Sequence, residues 1–244
     1  MPVWVPAVVR RVAPKPDLGG GFGLFGGLGW IAFVGGLWQA CGMLVAPSLI
    51  PRPAHSVVRM LVGKVNVVGS VLPGPVLLCS NHVSYRDVFL FGLVRSSARL
   101  LVHPLVFSFP FLKKFAVRWG FVQVSIDDAV ALLKEGESVA ICPTGLVEAL
   151  GEAELPFKTG AVRIAQQAGV PMVPVYFHYG NYPGRWVTPF SITVQNIFLF
   201  CLWPFYRRGV TIFVGAPLDA SGDVKERTKV LKAAVEALKP EMRV

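Results

Sequence analysis

Residues 75–94, PVLLCSNHVSYRDVFLFGLV, join two apolar runs through a short polar loop. The first run is short and apolar, as a buried β-strand would be. The second follows Ser84-x-x-Asp87, which is the Ser-x-x-acid pattern of a helix N-terminus. The sequence therefore predicts a strand over 75–80, a loop, and a helix over 85–94. A strand followed by a loop and a helix is the repeating unit of a parallel α/β fold.

The loop of this unit carries a histidine five residues before an aspartate. An imidazole can take a proton from a hydroxyl near neutral pH, and a carboxylate can hold its tautomer and stabilise the imidazolium. Five residues on a straight helix are about 140° apart, so the side chains can meet only if His82 lies on the loop before the helix. Two simpler interpretations remain: Asp87 is a capping carboxylate, and His82 is a buried histidine with satisfied hydrogen bonds.

The same alternation of short apolar runs and helical patterns continues along the chain. Further strands are expected at 64–71, 99–103, 120–125, 138–142, 172–177 and 210–214, and further helices at 104–119, 127–134, 158–168 and 223–238. Residues 56–244 are therefore predicted to form one α/β domain, with a mostly parallel central sheet flanked by helices. In such a sheet the loops at the strand ends carry the chemistry.

The N-terminal part of the chain is unusually apolar. No charged residue occurs over 18–51, a stretch long enough to enter or cross a bilayer. We therefore expect residues 1–55 to be a membrane-embedded helical anchoring segment. A long buried core helix is the alternative, whereas a cleaved secretory signal fits poorly because the stretch is too long and begins too far into the chain. A second uncharged stretch, 186–206, is either buried or in contact with bilayer or acyl chain.

The net charge indicates the class of binding partner, and the cysteine content indicates the redox compartment. The net charge is +10, and many basic residues flank the apolar stretch, which favours anionic lipid headgroups. No zinc finger, basic zipper or aromatic-interleaved basic motif occurs, so no nucleic-acid partner is expected. The four cysteines form no Cys-x-x-Cys pair and are interpreted as buried thiols in a reducing compartment. No metal site is predicted, because no ligand spacing surrounds His82.

Several motifs occur in the same order as in a known protein family, and together they make the resemblance specific. Residues 81–87 match the Asn-His-x-x-x-x-Asp block of the glycerolipid acyltransferases, the superfamily of the lysophosphatidic acid acyltransferases. Blocks resembling the second, third and fourth of that family follow in order, at 120–124, 142–145 and 169–175, with the typical 155–161 before the last. The resemblance spans about residues 65 to 218. It implies an α/β acyltransferase domain in which His82 and Asp87 form the catalytic dyad.

Two blocks depart from the family pattern. The family usually has a basic residue at the end of the second block and Pro-Glu-Gly-Thr-Arg in the third, where they engage the acceptor's phosphate. Here the second block ends in Ser125-Ile126-Asp127, and residues 143–147 read Pro-Thr-Gly-Leu-Val. Arginine suits phosphate because its planar fork donates bidentate bonds, which Ile126 and Val147 cannot do. Residues 145–150, GLVEAL, look more like the diacylglycerol acyltransferase-like branch.

The resemblance implies a membrane-bound O-acyltransferase that transfers a fatty acyl group from an acyl thioester to a glycerolipid hydroxyl. The donor would be acyl-coenzyme A or acyl carrier protein, acting as a co-substrate, with no cofactor. A lysophospholipid such as lysophosphatidic acid is the leading acceptor, and diacylglycerol or another neutral alcohol is the alternative. A catalytically silent lipid-binding protein and a lipid hydrolase are the rival functions, although no Gly-x-Ser-x-Gly elbow is present.

In this scheme His82 is the general base and Asp87 orients it. The expected substrate-binding residues are Asn81, Arg86, Thr144, Gly145, Glu148 and Lys158. Backbone N–H groups near Gly145 are candidate oxyanion donors. Lys158 and Arg163, or Arg86, are candidate ligands for the phosphates of coenzyme A or of a headgroup. Each has a simpler alternative: the glutamate can begin a helix, and the basic residues can form a solvated face. We expect the protein at a membrane, integral or monotopic, with its site at the interface on the cytoplasmic side.

Overall fold

The computed structural model describes residues 63–148, 155–179 and 209–240. The predicted anchoring segment, the boundary at residue 56 and the uncharged stretch 186–206 lie outside these ranges. Over the three described ranges, no helix has both the length and the apolar character that a bilayer span requires.

The described ranges contain seven strands and six helices, and they include every strand predicted from the sequence. The strands are β1 (Val65–Val68), β2 (Leu77–Ser80), β3 (Arg99–Val102), β4 (Phe121–Gln123), β5 (Val139–Ile141), β6 (Met172–Tyr179) and β7 (Val210–Val214). The helices are α1 (Asp87–Val94), α2 (Leu105–Ser108), α3 (Pro110–Arg118), α4 (Ile126–Lys134), α5 (Gly160–Ala168) and α6 (Val224–Ala237). The expectation of an α/β domain is confirmed.

All seven strands form one sheet, in the order β1-β7-β6-β2-β5-β3-β4. Strands β2 to β6 run in the same direction, while β7 pairs antiparallel with β6 and parallel with β1. The sheet is therefore mostly parallel, as predicted. Strand β2 is central, and its carboxyl end lies beside those of β5 and β6. The loops that follow these three strands meet at one edge of the sheet.

Both faces of the sheet are covered. Helix α1 packs on one face, where Phe91 meets Phe177 edge to face with ring centroids 5.0 Å apart. Helices α4, α5 and α6 pack on the other face, around Leu77 and Met172. Because successive side chains of a strand point to opposite faces, a strand buried on both sides must be apolar throughout. All four residues of β2 are buried, and their packing fixes the position at which the following loop begins.

Two of the differences from the predicted helix boundaries have a clear local cause. The helix expected over 104–119 is split into α2 and α3 around Phe109, whose backbone is extended. Pro110 explains the break, because proline lacks an N–H and disfavours helical dihedrals in the residue before it. Helix α1 begins at Asp87 rather than at residue 85, because a turn precedes it in which the Asp87 N–H donates to the Ser84 carbonyl at 2.9 Å.

Candidate active site

His82 lies on the loop between β2 and α1, where its Nδ1 is 3.0 Å from Oδ2 of Asp87. Asp87 is fully buried, and the side chain of His82 retains 15% exposure. Since the carboxylate accepts, Nδ1 carries the ring proton and Nε2 keeps the lone pair. The loop therefore brings the two side chains together and leaves the ring partly open to solvent. This is the arrangement of a general base and its orienting group.

The Asp87 carboxylate receives donors at both oxygens. Oδ2 accepts from the N–H groups of Val83 and Ser84, at 2.7 and 2.9 Å, in addition to the imidazole. Oδ1 accepts from the hydroxyl of Tyr179, which lies at the carboxyl end of β6. The bond to the Ser84 N–H is the one expected of a carboxylate in a capping box. One carboxylate thus both organises the loop and holds the imidazole, so the two interpretations of Asp87 are compatible.

Asn81 joins the loop to β6. Its Oδ1 accepts from the Phe177 N–H at 2.8 Å, and its Nδ2 donates to the Phe177 carbonyl at 3.2 Å. The pairing of β2 with β6 ends at Ser80 and Val175, so the amide of Asn81 continues the ladder by one step. Asn81 was expected to bind substrate. The structure instead engages both ends of its amide with the main chain, in a position that fixes the residue before His82.

Arg86 is buried, with 3% of its surface exposed. Its guanidinium carbon lies 5.4 Å from the ring centroid of Tyr179, within the range of a cation–π contact. It therefore does not belong to a solvated basic face, which was one of the two interpretations of this residue. Its charge lies instead against the aromatic ring whose hydroxyl donates to Asp87.

The turn after β5 contacts the histidine loop directly. The Glu148 N–H donates to the His82 carbonyl at 2.6 Å, so the segment that follows the third sequence block contacts the main chain of His82. Thr144 is buried and donates its hydroxyl to the Leu146 carbonyl at 2.9 Å. The Gly145 N–H donates to the Cys142 carbonyl at 3.0 Å. The N–H of Gly145 itself therefore closes the turn, and the assignment of oxyanion donors to backbone N–H groups near Gly145 stays a prediction.

Gly145 nevertheless shapes the site, through what its missing side chain permits. Its φ is +69°, and a Cβ at this position would lie 2.9 Å from Nζ of Lys158. The Lys158 N–H donates to the Pro143 carbonyl at 3.0 Å, which ties the segment before α5 to the same turn. The exposed ammonium group of Lys158 is therefore held against the turn after β5. A cation is thus present at the edge of the sheet from which His82 projects.

Cys142 also lies at this edge, with its Sγ 3.5 Å from the Ser80 hydroxyl oxygen. Burial raises the pKa of the Cys142 thiol well above its usual range, and the negative charges of Asp87 and Glu148 raise it further. A thiol that stays protonated at neutral pH is a poor nucleophile. The prediction of buried thiols is confirmed for Cys79, whereas Cys142 is half-buried. The imidazole of His82 is therefore a better candidate for the reactive group of this cluster than the Cys142 thiol.

Sequence reasoning missed Tyr179. It is 92 residues from Asp87 in the chain, so no local spacing connects the two. The available signal was alternation along β6: Val175, Phe177 and Tyr179 lie on one face, and the last of them brings a hydroxyl to the carboxyl end of the strand. A tyrosine that ends an otherwise apolar strand face has a polar tip in need of a partner.

Comparison with known proteins agrees with this geometry. Residues 64–178 match the model of the family described as Acyltransferase. Among solved structures, the crystal structure of the 1-acyl-sn-glycerophosphate (LPA) acyltransferase PlsC from Thermotoga maritima matches with a TM-score of 0.60 and 19% identity, covering 88% of this chain and 94% of that one. At this identity the likeness is one of fold. The family match spans all four sequence blocks and identifies residues 64–178 as an acyltransferase domain, which supports the expected glycerolipid acyltransferase superfamily.

Proposed function

We propose that the protein is a membrane-bound O-acyltransferase that transfers a fatty acyl group from acyl-coenzyme A or acyl carrier protein to a hydroxyl of a glycerolipid, with a lysophospholipid such as lysophosphatidic acid as the leading acceptor. The observation that carries the proposal is the 3.0 Å contact between Nδ1 of His82 and a fully buried Asp87, beside a ring that stays partly exposed. A base held in this way is ready to receive a proton at Nε2.

The chemistry needs only these groups and the two substrates. His82 Nε2 takes the proton of the acceptor hydroxyl while that oxygen bonds to the thioester carbonyl carbon. Asp87 stabilises the imidazolium that forms. The tetrahedral intermediate then breaks its carbon–sulfur bond, and the imidazolium returns the proton to the departing thiolate. The ester and the free thiol are the products, and the thioester itself supplies the driving force, so the scheme requires no cofactor.

A phosphorylated acceptor has two supports. The Thermotoga maritima protein of the same fold is an LPA acyltransferase. In addition, Lys158 holds an exposed ammonium group against the turn that contacts the His82 loop. An ammonium binds phosphate as a point charge, without the bidentate geometry of arginine. We therefore assign Lys158 as the candidate contact of the headgroup phosphate.

A neutral acceptor is the second candidate, and specific positions favour it. At the end of the second block, the Ser125 hydroxyl accepts from the Asp128 N–H at 3.3 Å, and Ile126 packs against the core. In the third block, Leu146 is 63% exposed on the turn beside the His82 loop. Ile126 and Leu146 cannot donate a hydrogen bond to a phosphate, and an exposed leucine suits a glycerolipid without one.

The test is acyl transfer by the purified full chain in detergent micelles. Labelled acyl-coenzyme A or acyl carrier protein is offered with lysophosphatidic acid, with diacylglycerol, or with neither. We expect an ester product, and we expect His82→Ala to abolish it. His103→Ala is the matched control, because that histidine is exposed and follows β3. Lys158→Gln separates the acceptors: it raises the KM for lysophosphatidic acid if the phosphate contact exists and leaves the KM for diacylglycerol unchanged.

Two results would contradict the proposal. Binding of donor and acceptor without turnover in the wild type would identify a catalytically silent lipid-binding protein. Free fatty acid released from an intact lipid, with no dependence on acceptor, would identify a hydrolase. Transfer that survives His82→Ala would leave the enzyme but remove the assigned base.

A further inference from the structure

Tyr179 reaches the catalytic loop from a distant strand. Its hydroxyl donates to Oδ1 of Asp87, and both side chains are buried, with 5% and 0% exposure. The other carboxylate oxygen already accepts from His82 and from two main-chain N–H groups of the loop. Tyr179 is thus the donor from β6 to the oxygen that does not face the imidazole. A buried carboxylate oxygen is costly to leave without a donor, so this bond matters to the geometry of the site.

Arg86 acts on the same phenol. Its guanidinium carbon lies 5.4 Å from the ring centroid, and the residue is almost fully buried. A cation over an aromatic face draws electron density from the ring, which makes the phenolic O–H a better donor. In a site with little water, neighbouring hydrogen bonds and charges strengthen one another. Arg86 therefore strengthens the hydrogen bond that the Tyr179 hydroxyl donates to Oδ1 of Asp87.

We propose that Tyr179, with Arg86 stacked on its ring, is a positioning residue that holds the Asp87 carboxylate in the orientation in which Oδ2 faces His82. This inference rests on the proposed role of His82 as the base. Neither residue touches the reacting atoms in this scheme. They increase the rate by fixing the Asp87 carboxylate, which orients the imidazole. They also keep the negative charge of that carboxylate distributed among several hydrogen-bond donors.

Tyr179→Phe is the direct test, because it removes the hydroxyl and keeps the ring under Arg86. We expect kcat to fall about ten- to a hundredfold, the size of losing one hydrogen bond to a charged group, with KM within about twofold. Tyr176→Phe is the matched control: it lies on the same strand but packs among the side chains of the opposite face, and we expect it to keep wild-type kcat.

The pH profile of kcat/KM adds a readout that a purely structural role would not move. The charged or titratable groups around Asp87 are His82, Arg86, Cys142 and Glu148, and Tyr179→Phe alters none of them. With one donor fewer, the carboxylate attracts the imidazolium more strongly, so the base stays protonated to higher pH. The acidic limb of the profile is expected to move to higher pH in Tyr179→Phe and to stay in place in Tyr176→Phe.

A double-mutant cycle tests whether Arg86 works through the hydroxyl. Arg86→Met removes the charge at similar length, and we expect it to lower kcat in the wild-type background. In the Tyr179→Phe background the same substitution should have little further effect on kcat, because the bond that it supports is already absent. Circular dichroism and thermal melting of each variant identify any loss of folded protein, and kcat is compared per folded enzyme.

The outcomes separate this inference from the proposed function. If His82→Ala abolishes transfer while Tyr179→Phe keeps the kcat and pH profile of the wild type, the positioning role is overturned and the proposed function stands. Independent, additive effects of Arg86→Met and Tyr179→Phe would overturn the part assigned to Arg86. If His82→Ala retains transfer, the base assignment falls and the positioning role falls with it.

Discussion

Asp87 shows how one side chain serves folding and chemistry together. Its carboxylate accepts from two N–H groups of its own loop, from the imidazole and from a tyrosine on β6. A charged acceptor buried at this depth is tolerable only when it is fully hydrogen-bonded. The donors that make its burial possible also fix the direction in which it faces His82. The imidazole of His82 is therefore positioned by the local fold before any substrate binds.

Cys142 gives a prediction about which group reacts. Because burial and the charge of Asp87 raise the pKa of its thiol, the thiolate is scarce at neutral pH and no acyl-cysteine intermediate is expected. Cys142→Ala should retain acyl transfer within about fivefold, since one small polar contact to Ser80 is lost. The measurement is kcat with the preferred acceptor, beside mass spectrometry of enzyme quenched during turnover. A folded but inactive Cys142→Ala, or an acyl group found on Cys142, would contradict this.

Contacts between site residues that are close in sequence could be predicted, whereas contacts between residues that are distant in sequence could not. His82 and Asp87 are five residues apart, so helix geometry alone required the histidine to lie on the loop before α1. Tyr179 and the main chain of Phe177 reach the loop from β6, and no spacing in one sequence reveals such contacts. The use of the Gly145 N–H in a turn was equally beyond prediction from the sequence, because closure of that turn depends on backbone geometry.

At the scale of elements, two glycines with the same left-handed backbone conformation allow a paired substitution experiment. Gly145 in the turn after β5 and Gly169 at the end of α5 have φ values of +69° and +68°. Alanine in either left-handed position should cost about 1–2 kcal/mol of folding free energy. A Cβ on Gly169 meets nothing within 4 Å, whereas one on Gly145 meets the Lys158 ammonium at 2.9 Å. Both alanine variants should melt at lower temperature, but only Gly145→Ala should lower acyl transfer. Equal activities would contradict the placement of Lys158 at the site.

An ion pair joins β3 to the turn before β5. Arg99 Nη2 donates to Glu137 Oε1 at 3.1 Å, and this hydrogen bond lowers the pKa of the Glu137 carboxyl below its usual 4.5. A carboxyl whose folded pKa is depressed contributes stability above its unfolded pKa and loses it as pH falls through the folded value. Both side chains are about a third exposed or more, so we expect the contribution to stay below about 1 kcal/mol.

Glu137→Gln should therefore unfold slightly more easily than wild type at pH 7, and the difference should close as the pH falls below about 4.5. Urea unfolding of both proteins across that pH range measures it. Glu135→Gln, two residues away and exposed, is the control and should track wild type throughout. A difference that persists unchanged at the lowest pH would show that Glu137 acts through packing rather than through its charge.

The sequence pattern predicted the elements better than their arrangement. Short apolar runs between polar turns located all seven strands, because a strand buried on both faces leaves that signature. The break at Pro110 follows from the chemistry of proline, yet a pattern of apolar spacing alone runs through it. The antiparallel pairing of β6 with β7 depends on how the chain returns between them, and the composition of a strand says nothing about its direction.

For the whole molecule, the apolar N-terminal stretch leads to a prediction about extraction. Residues 18–51 carry no charge, and the chain as a whole carries a net charge of +10. Salt screens surface charge but does not weaken the burial of apolar residues in hydrocarbon. The full chain should therefore remain in the membrane fraction after a wash at 1 M salt and after alkaline carbonate. Release by salt alone would contradict an embedded segment and assign the attachment to the basic surface.

The bond from the Glu148 N–H to the His82 carbonyl, at 2.6 Å, has a consequence for the evolution of acceptor preference. It couples the segment after the third block to the backbone of His82, so we expect a change of that turn that shifts residue 148 to displace the imidazole as well. Substitution of the Leu146 side chain should leave this bond intact, because that side chain is 63% exposed and takes no part in the bond. If the acceptor binds at this turn, we expect acceptor preference to change by exchange of the Leu146 side chain while the turn keeps its path, and sequence diversity among related enzymes to concentrate at that position.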